Sequence, residues 1–293
     1  MLKQKRFDLV YANEAHALTA AWLARSHRRV PLVAARRVTF PLSPSPISLA
    51  RYRAATRILA ISKAVRDALR ASGLREERIE VIPDGVEIPS PIDAQARGQA
   101  RRRWGFSADD RVLALVAALT EEKGHALLIE AFSKVRREMP DCKLLLAGEG
   151  RLRAQLEGQV REGGLESAVI FTGFLPDIES AYAACDLFVF PSLQEGAGSS
   201  LLRAMAFGLP VLALARGGVA EIIENGRNGV LVREATAEAI SAEATGLLRD
   251  PARMGRLGQG GRETAAAHYS ADRMVDATAG VFERLISGTS AGG

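Results

Sequence analysis

Residues 190–213, FPSLQEGAGSSLLRAMAFGLPVLA, constrain this chain more than any other segment. They continue the run DLFVF at 186–190, whose short, unbroken apolar character suits a parallel strand buried on both faces. Gly196 and Gly198, with Ala197 between them, let the backbone turn sharply and come close to a ligand. Ser199 and Ser200 stand where a helix would open, offering capping hydroxyls and free N–H groups. A helix start at the carboxyl end of a strand is a site for an anion. Glu195 is a carboxylate beside it, able to accept hydrogen bonds from sugar hydroxyls. A phosphate cradle next to a hydroxyl-reading carboxylate is what a nucleotide sugar requires.

The rest of the chain alternates strand and helix. Strand patterns fall at 8–11, 31–34, 57–61, 79–82, 112–119, 143–147 and 169–171, with helical spacing at 14–26, 62–71 and 124–138. After residue 230 the chain turns helical and rich in Ala and Arg. This order predicts an α/β protein with parallel sheets covered on both faces. Its 293 residues suit two domains. Strands are lost over the Pro-rich and then basic residues 90–103, which sets the expected division at 1–90, 91–270 and a final helical segment 271–293.

Composition excludes several classes. At 47% apolar and 25% charged residues the chain reads as soluble and globular, and it has no apolar run long enough to span a bilayer. The basic start, MLKQKRFDLV, runs into a strand pattern and lacks a signal-peptide core. Cys142 and Cys185 both fall in apolar strand patterns and read as reduced core residues, which suits a cytoplasmic protein. Four scattered histidines give no metal-ligand spacing, so no metal is expected. Residues 1–103 hold 20 Lys or Arg against 9 Asp or Glu, whereas residues 104–293 hold 19 against 25. Two readings of the basic half stay open: a solvated face, or peripheral contact with anionic lipid at the inner face of a membrane. Nucleic acid is not expected, because the few aromatics are not interleaved with the basic runs.

The 190–213 segment resembles the donor-binding signature of the retaining glycosyltransferases of family 4, which have the GT-B fold. That pattern is a Glu, a Gly-x-Gly turn, a second Glu eight positions after the first, then Ala-Met-Ala and Gly-x-Pro-Val. Glu195, Gly196, Gly198, Ala204-Met205-Ala206, Gly208, Pro210 and Val211 match it, and Arg203 stands in place of the second Glu. Ala117-Ala118-Leu119 and Glu121-Glu122-Lys123-Gly124-His125 are similar to the family's loop at the donor diphosphate, with Lys123 kept and Ala118 where an Arg is common. Gly148 and Gly150 match its Gly-x-Gly turn near the nucleotide, although an ordinary strand-to-helix turn would look the same. Phe174 and Leu175 lie where the family presents backbone groups to the base. Gly217-Gly218, Glu221 and Asn225-Gly226 match a further pattern that we read as structural turns.

Resemblance in the first half is shorter. Ser62-Lys63-Ala64-Val65 and the segment VIPDGV at 81–86 match the end of the family's acceptor-side domain. The chain is expected to start near that domain's fourth strand, without the start of the acceptor site. Asn13 stands where the family carries an active-site His, and His16 follows one helical turn later, a spacing that a helix-surface histidine also fits.

The resemblance implies two Rossmann-type domains, the N-terminal one incomplete, with the last helix crossing back to the first. It implies retaining transfer from a nucleoside-diphosphate sugar to a glycan or lipid-linked acceptor of the cell envelope, without a metal or other cofactor. Glu195, Lys123, Asn13 and His16 would be catalytic. Gly196, Ala197, Gly198, Ser199, Ser200, Arg203, Gly148, Gly150, Phe174 and Leu175 would bind donor. Two alternatives remain. A non-catalytic nucleotide-sugar-binding homologue is suggested by Ala118 and Arg203. A nucleotide-sugar epimerase of the same architecture would need a histidine and carboxylate cluster that is not evident.

Overall fold

The computed structural model describes residues 7–43 and 45–290, so the basic residues Lys3, Lys5 and Arg6 lie outside it. The chain runs β1 (Val10–Ala12), α1 (Ala15–Leu23), β2 (Leu32–Arg36), α2 (Pro46–Arg53), β3 (Arg57–Ala60), α3 (Lys63–Ala71) and β4 (Ile79–Val81). It continues through α4 (Ala94–Arg103), β5 (Arg111–Val116), α5 (His125–Glu138), β6 (Cys142–Ala147), α6 (Arg153–Glu162), β7 (Val169–Gly173), α7 (Glu179–Ala184) and β8 (Leu187–Phe190). Then come α8 (Ser199–Ala206), β9 (Val211–Leu214), α9 (Val219–Ile222), β10 (Val230–Val232), α10 (Ala237–Leu248), α11 (Pro251–His268) and α12 (Ala271–Ser290). Two compact units result: residues up to Gly85 together with α12, and Val86–Ser270.

The first unit is a parallel four-stranded sheet in the order β1-β2-β3-β4. Helix α3 begins where Ser62 accepts a hydrogen bond from the Val65 amide, and it buries Val65 and Leu69 one turn apart. Val33, Leu59 and Ile82 form one buried cluster with Val281 of α12, flanked by Met274, Phe282 and Leu285. Helix α12 therefore covers a face of this sheet. The sequence reading gave no helix at α2. Pro41, Pro44 and Pro46 obscure its start, yet Pro46 occupies the first turn, where a missing N–H costs nothing.

The second unit is a parallel six-stranded sheet in the order β10-β9-β8-β5-β6-β7. Strands β8 and β9 are buried at every position, as their unbroken apolar sequences require. The order in which strands are added reverses between β5 and β8, which makes that boundary a topological switch point. At the amino end of β8, Asp186 is clamped by Arg97 and by Arg101 (2.6 Å), and it accepts from the Val112 amide at 2.8 Å. This network pins α4 to the sheet.

Two boundary expectations are corrected. Strand β5 ends at Val116 rather than 119, because Leu119 turns to bond Glu149 and Leu152 through its backbone. Cys185 caps α7 just before β8 instead of lying within a strand; it and Cys142 are both buried, free thiols.

Candidate functional site

Four loops of the second unit leave the carboxyl ends of β5, β6, β8 and β9, and they pack backbone against backbone. Gly124 closes the β5 loop in a left-handed conformation (φ +71°), where a Cβ would stand 2.1 Å from the Pro191 carbonyl oxygen of the β8 loop. The Leu193 amide donates to the Glu122 carbonyl at 2.8 Å, so the two loops are stitched across the switch point. A Cβ on Gly148 would lie 2.0 Å from the Ala117 oxygen, and one on Gly150 would lie 2.4 Å from the Leu119 oxygen. These two glycines are thus required by the β5 loop's own backbone. On the other flank, a Cβ on Gly217 would come within 2.0 Å of the Glu195 carbonyl, which fixes the backbone of Glu195.

Across the stitched loops Lys123 Nζ and Glu195 Oε2 meet at 2.7 Å. Lys123 ends a 3-10 turn, Glu121–Lys123, that follows β5, and Glu195 lies in the loop that follows β8. Both side chains are largely shielded, at 24% and 12% exposure, so their attraction is screened far less than a surface pair's. Glu195 Oε1 accepts from the Gly196 amide at 3.2 Å. Two candidate residues chosen from distant segments are thereby brought into direct contact.

Helix α8 opens beside this pair. Its N-cap is Gly198 (φ +86°, ψ +70°), whose missing Cβ leaves room for the Phe190 ring, and no side chain caps it. The reading of Ser199 and Ser200 as capping hydroxyls is therefore corrected. Both lie inside the helix, and the first-turn N–H groups have no side-chain acceptor. Gly198, rather than Gly196, supplies the left-handed turn. Ala197 is buried beneath the loop. Arg203 lies one turn after Ser199 on the same exposed stripe, and its guanidinium has no hydrogen-bonding or ion-pair partner among the described residues. Phe174 follows β7 at 76% exposure, with Leu175 half-buried beside it.

Two buried polar groups in these loops fall within the motifs read from the sequence but were given no role there. His125, first residue of α5, is 1% exposed and neither ring nitrogen has a partner; burial, helped by the Lys123 charge, lowers its pKa to about 4. Ser192, on the stitched β8 loop, is also 1% exposed with an unpartnered hydroxyl. Only the phrase that surrounds them, not their own residue types, marks them in the sequence.

In the first unit, Asn13 follows β1. Its Oδ1 accepts from the Tyr11 hydroxyl at 3.2 Å and from Arg37 at 3.5 Å, and Arg37 pairs with Asp84 at 2.7 Å. Burial raises the Asp84 pKa, and the Arg37 charge opposes that shift. Arg37 and Asp84 were not among the sequence candidates, because Asp84 reads as one residue of a Pro-Asp-Gly turn. His16 is exposed on α1 with no polar contact to Asn13.

A topological switch point in a six-stranded parallel sheet, in a chain whose other unit is also a parallel sheet, is the architecture of GT-B glycosyltransferases. The chain belongs to the family described as glycosyl transferases group 1, whose profile matches residues 96–264, and the profile of glycosyltransferase family 4 matches residues 1–88. It is 30% identical over 239 residues to the GDP-mannose-dependent alpha-(1-6)-phosphatidylinositol monomannoside mannosyltransferase of Mycolicibacterium smegmatis, covering 78% of this chain and 61% of that protein. It is 29% identical to the alpha-D-kanosaminyltransferase of Streptomyces kanamyceticus, covering 87% of this chain and 67% of that one. The chain thus spans 58–67% of the length of curated relatives such as these. Among solved structures, Anabaena HepE in complex with UDP and glucose superposes with a TM-score of 0.86 at 26% identity, covering 94% of this chain and 78% of that one. No helix among the described residues is long and apolar enough to cross a membrane.

Proposed function

We propose that this chain transfers a sugar from a nucleoside-diphosphate sugar to a glycan or lipid-linked acceptor, with retention at the anomeric carbon and without a metal ion or other cofactor. The observation that carries the reading is the Lys123–Glu195 contact across the switch point, beside the uncapped start of α8. Lys123 and the first-turn N–H groups of Ser199 and Ser200 would stabilise charge growing on the leaving diphosphate. Glu195 would accept hydrogen bonds from the sugar hydroxyls, with Gly196, Ala197 and Gly198 setting the loop close to the donor. Gly148 and Gly150 would shape the nucleotide side, and the backbone of Phe174 and Leu175 would face the base. Arg203 would approach the diphosphate and replace the cation absent at Ala118.

In this mechanism the bond from anomeric carbon to phosphate oxygen breaks with its electron pair on the diphosphate. The acceptor oxygen attacks on the same face, and its proton leaves with the diphosphate. No side chain acts as nucleophile, since Glu195 is committed to hydroxyl recognition. Asn13 and His16 would serve the acceptor side. Support for a nucleotide-sugar donor comes from the relatives: the mycobacterial enzyme is GDP-mannose-dependent by name, and HepE was solved with UDP-glucose. Exposed Val38, Phe40 and Ile47 lie among Arg36, Arg37, Arg51 and Arg53, which suits peripheral contact with anionic lipid at a cytoplasmic face.

Ala118 and the unpaired Arg203 favour one second reading, a homologue that binds donor without transferring it. A panel of UDP-, GDP- and ADP-sugars, screened by thermal stability, tests the donor site. A true donor at a hundred times its dissociation constant adds about 2.7 kcal/mol, and Lys123→Met should abolish the gain. No stabilisation by any member of the panel would overturn the proposal.

A further inference from the structure

We infer that Glu195 is also an internal competitor for the phosphate-binding cation, so that the site favours an intact nucleotide sugar over the spent nucleoside diphosphate. The inference rests on the donor-site reading above. In the free protein the Lys123 ammonium is already neutralised by Glu195 at 2.7 Å. Three further cations of these loops are engaged elsewhere, Arg151 with Glu121, Arg153 with Glu157 at 2.5 Å, and Arg216 with the Ala215 and Arg233 carbonyls, which leaves Arg203 on α8 as the cation that Glu195 does not hold. A diphosphate arriving at Lys123 therefore meets a carboxylate on the same ammonium. At that separation, in a site shielded from water, the two anions repel strongly.

What relieves the conflict is the sugar. Its hydroxyls are donors, and a carboxylate accepts only, so an intact donor offers Glu195 new bonds in exchange for Lys123. Pyrophosphate and a bare nucleoside diphosphate offer no hydroxyl at that position. The backbone cannot yield instead, because the Glu195 carbonyl accepts from the Gly218 amide at 3.3 Å and abuts Gly217. Glu195 must turn by its side-chain torsions, leaving Lys123 when sugar is present and returning when it is gone. After transfer, the returning carboxylate would displace the diphosphate and speed its release.

The test is calorimetric titration of the full chain, Glu195→Gln, Lys123→Met and the double variant with inorganic pyrophosphate, UDP and UDP-glucose. Pyrophosphate reads the cation whatever base the site prefers. Glu195→Gln should bind pyrophosphate and UDP about tenfold more tightly than the unaltered chain and UDP-glucose about tenfold more weakly. In the Lys123→Met background the gain from the Glu195 change should shrink to what direct anion repulsion alone contributes. Glu195→Ala should tighten pyrophosphate too, which guards against an effect peculiar to the amide. Unchanged or weaker pyrophosphate and UDP binding by both Glu195 variants, with UDP-glucose still bound by the unaltered chain, would overturn the competition alone. Failure of the unaltered chain and of Glu195→Gln to bind any of the three would overturn it together with the donor site.

Discussion

Gly124→Ala is the substitution that most sharply probes the stitched loops. Gly124 holds φ +71°, a conformation that costs an L-residue roughly 1–2 kcal/mol. Its new Cβ would also stand 2.1 Å from the Pro191 carbonyl oxygen, whereas carbon and oxygen rest about 3.3 Å apart, so the loops must part by about 1 Å. That movement stretches the 2.8 Å bond from Leu193 to Glu122 beyond hydrogen-bond range and loosens the Lys123–Glu195 pair with it. Losing the bond adds about 1 kcal/mol, for a total of roughly 2–4 kcal/mol once the loosened ion pair is included. Gly105→Ala is the matched control: it also has φ +71°, but nothing lies within 4 Å of its added Cβ, so it bears the backbone strain alone. Thermal unfolding of both variants, with pyrophosphate titrated into each, separates the two effects. Gly124→Ala should lower Tm several degrees more than Gly105→Ala, and only Gly124→Ala should change pyrophosphate affinity. Equal losses in the two variants would refute the argument that close backbone contact positions the pair.

Three further outcomes follow from the same geometry. Asp186→Ala removes the counter-charge of the Arg101 guanidinium, whose side chain is 7% exposed and keeps only backbone carbonyl acceptors, and should destabilise by about 3–5 kcal/mol in urea unfolding; a loss under about 1 kcal/mol would contradict the clamp. His125 is held to about 4, against about 6.5 when unfolded, so the unfolded chain takes up that proton first as pH falls. Its contribution is complete above about pH 6.5 and is lost toward pH 4, a decline of about 3 kcal/mol that His125→Phe should flatten in unfolding curves taken across that range. Arg203→Glu places a carboxylate where a cation is proposed to meet the diphosphate, and should weaken UDP binding severalfold in titration; tighter binding would mark Arg203 as a defect of the site instead.

Much of the architecture was legible because it depends on local rules. Ser62 before an amphipathic helix, the unbroken apolar run at 186–190 and the Gly-rich loop after it each carry their own physics, and the structure places β3, α3, α5 and β8 within a residue or two of expectation. Helix α2 was hidden, because prolines that suit a helix start look like a loop when read alone. Ser199 and Ser200 were misread as caps: a serine at a helix start is the commoner cap, but here the capping position falls to Gly198, which has no side chain to accept with. The meeting of Lys123 and Glu195 could not be read from spacing, since 72 residues separate them and only the order of β5 and β8 in the sheet joins them. The same holds for Arg37 and Asp84 around Asn13, residues of three different loops.

The most direct test of the account is the stereochemistry of the released sugar. The full chain, incubated with the α-linked nucleotide sugar that stabilises it most, should cleave that donor slowly even where water is the only acceptor. Proton NMR of the anomeric region, recorded before mutarotation proceeds, should show the α-anomer first, and Lys123→Met should suppress the signal. The β-anomer appearing first would contradict retention, and a donor that binds but is never cleaved would contradict transfer itself.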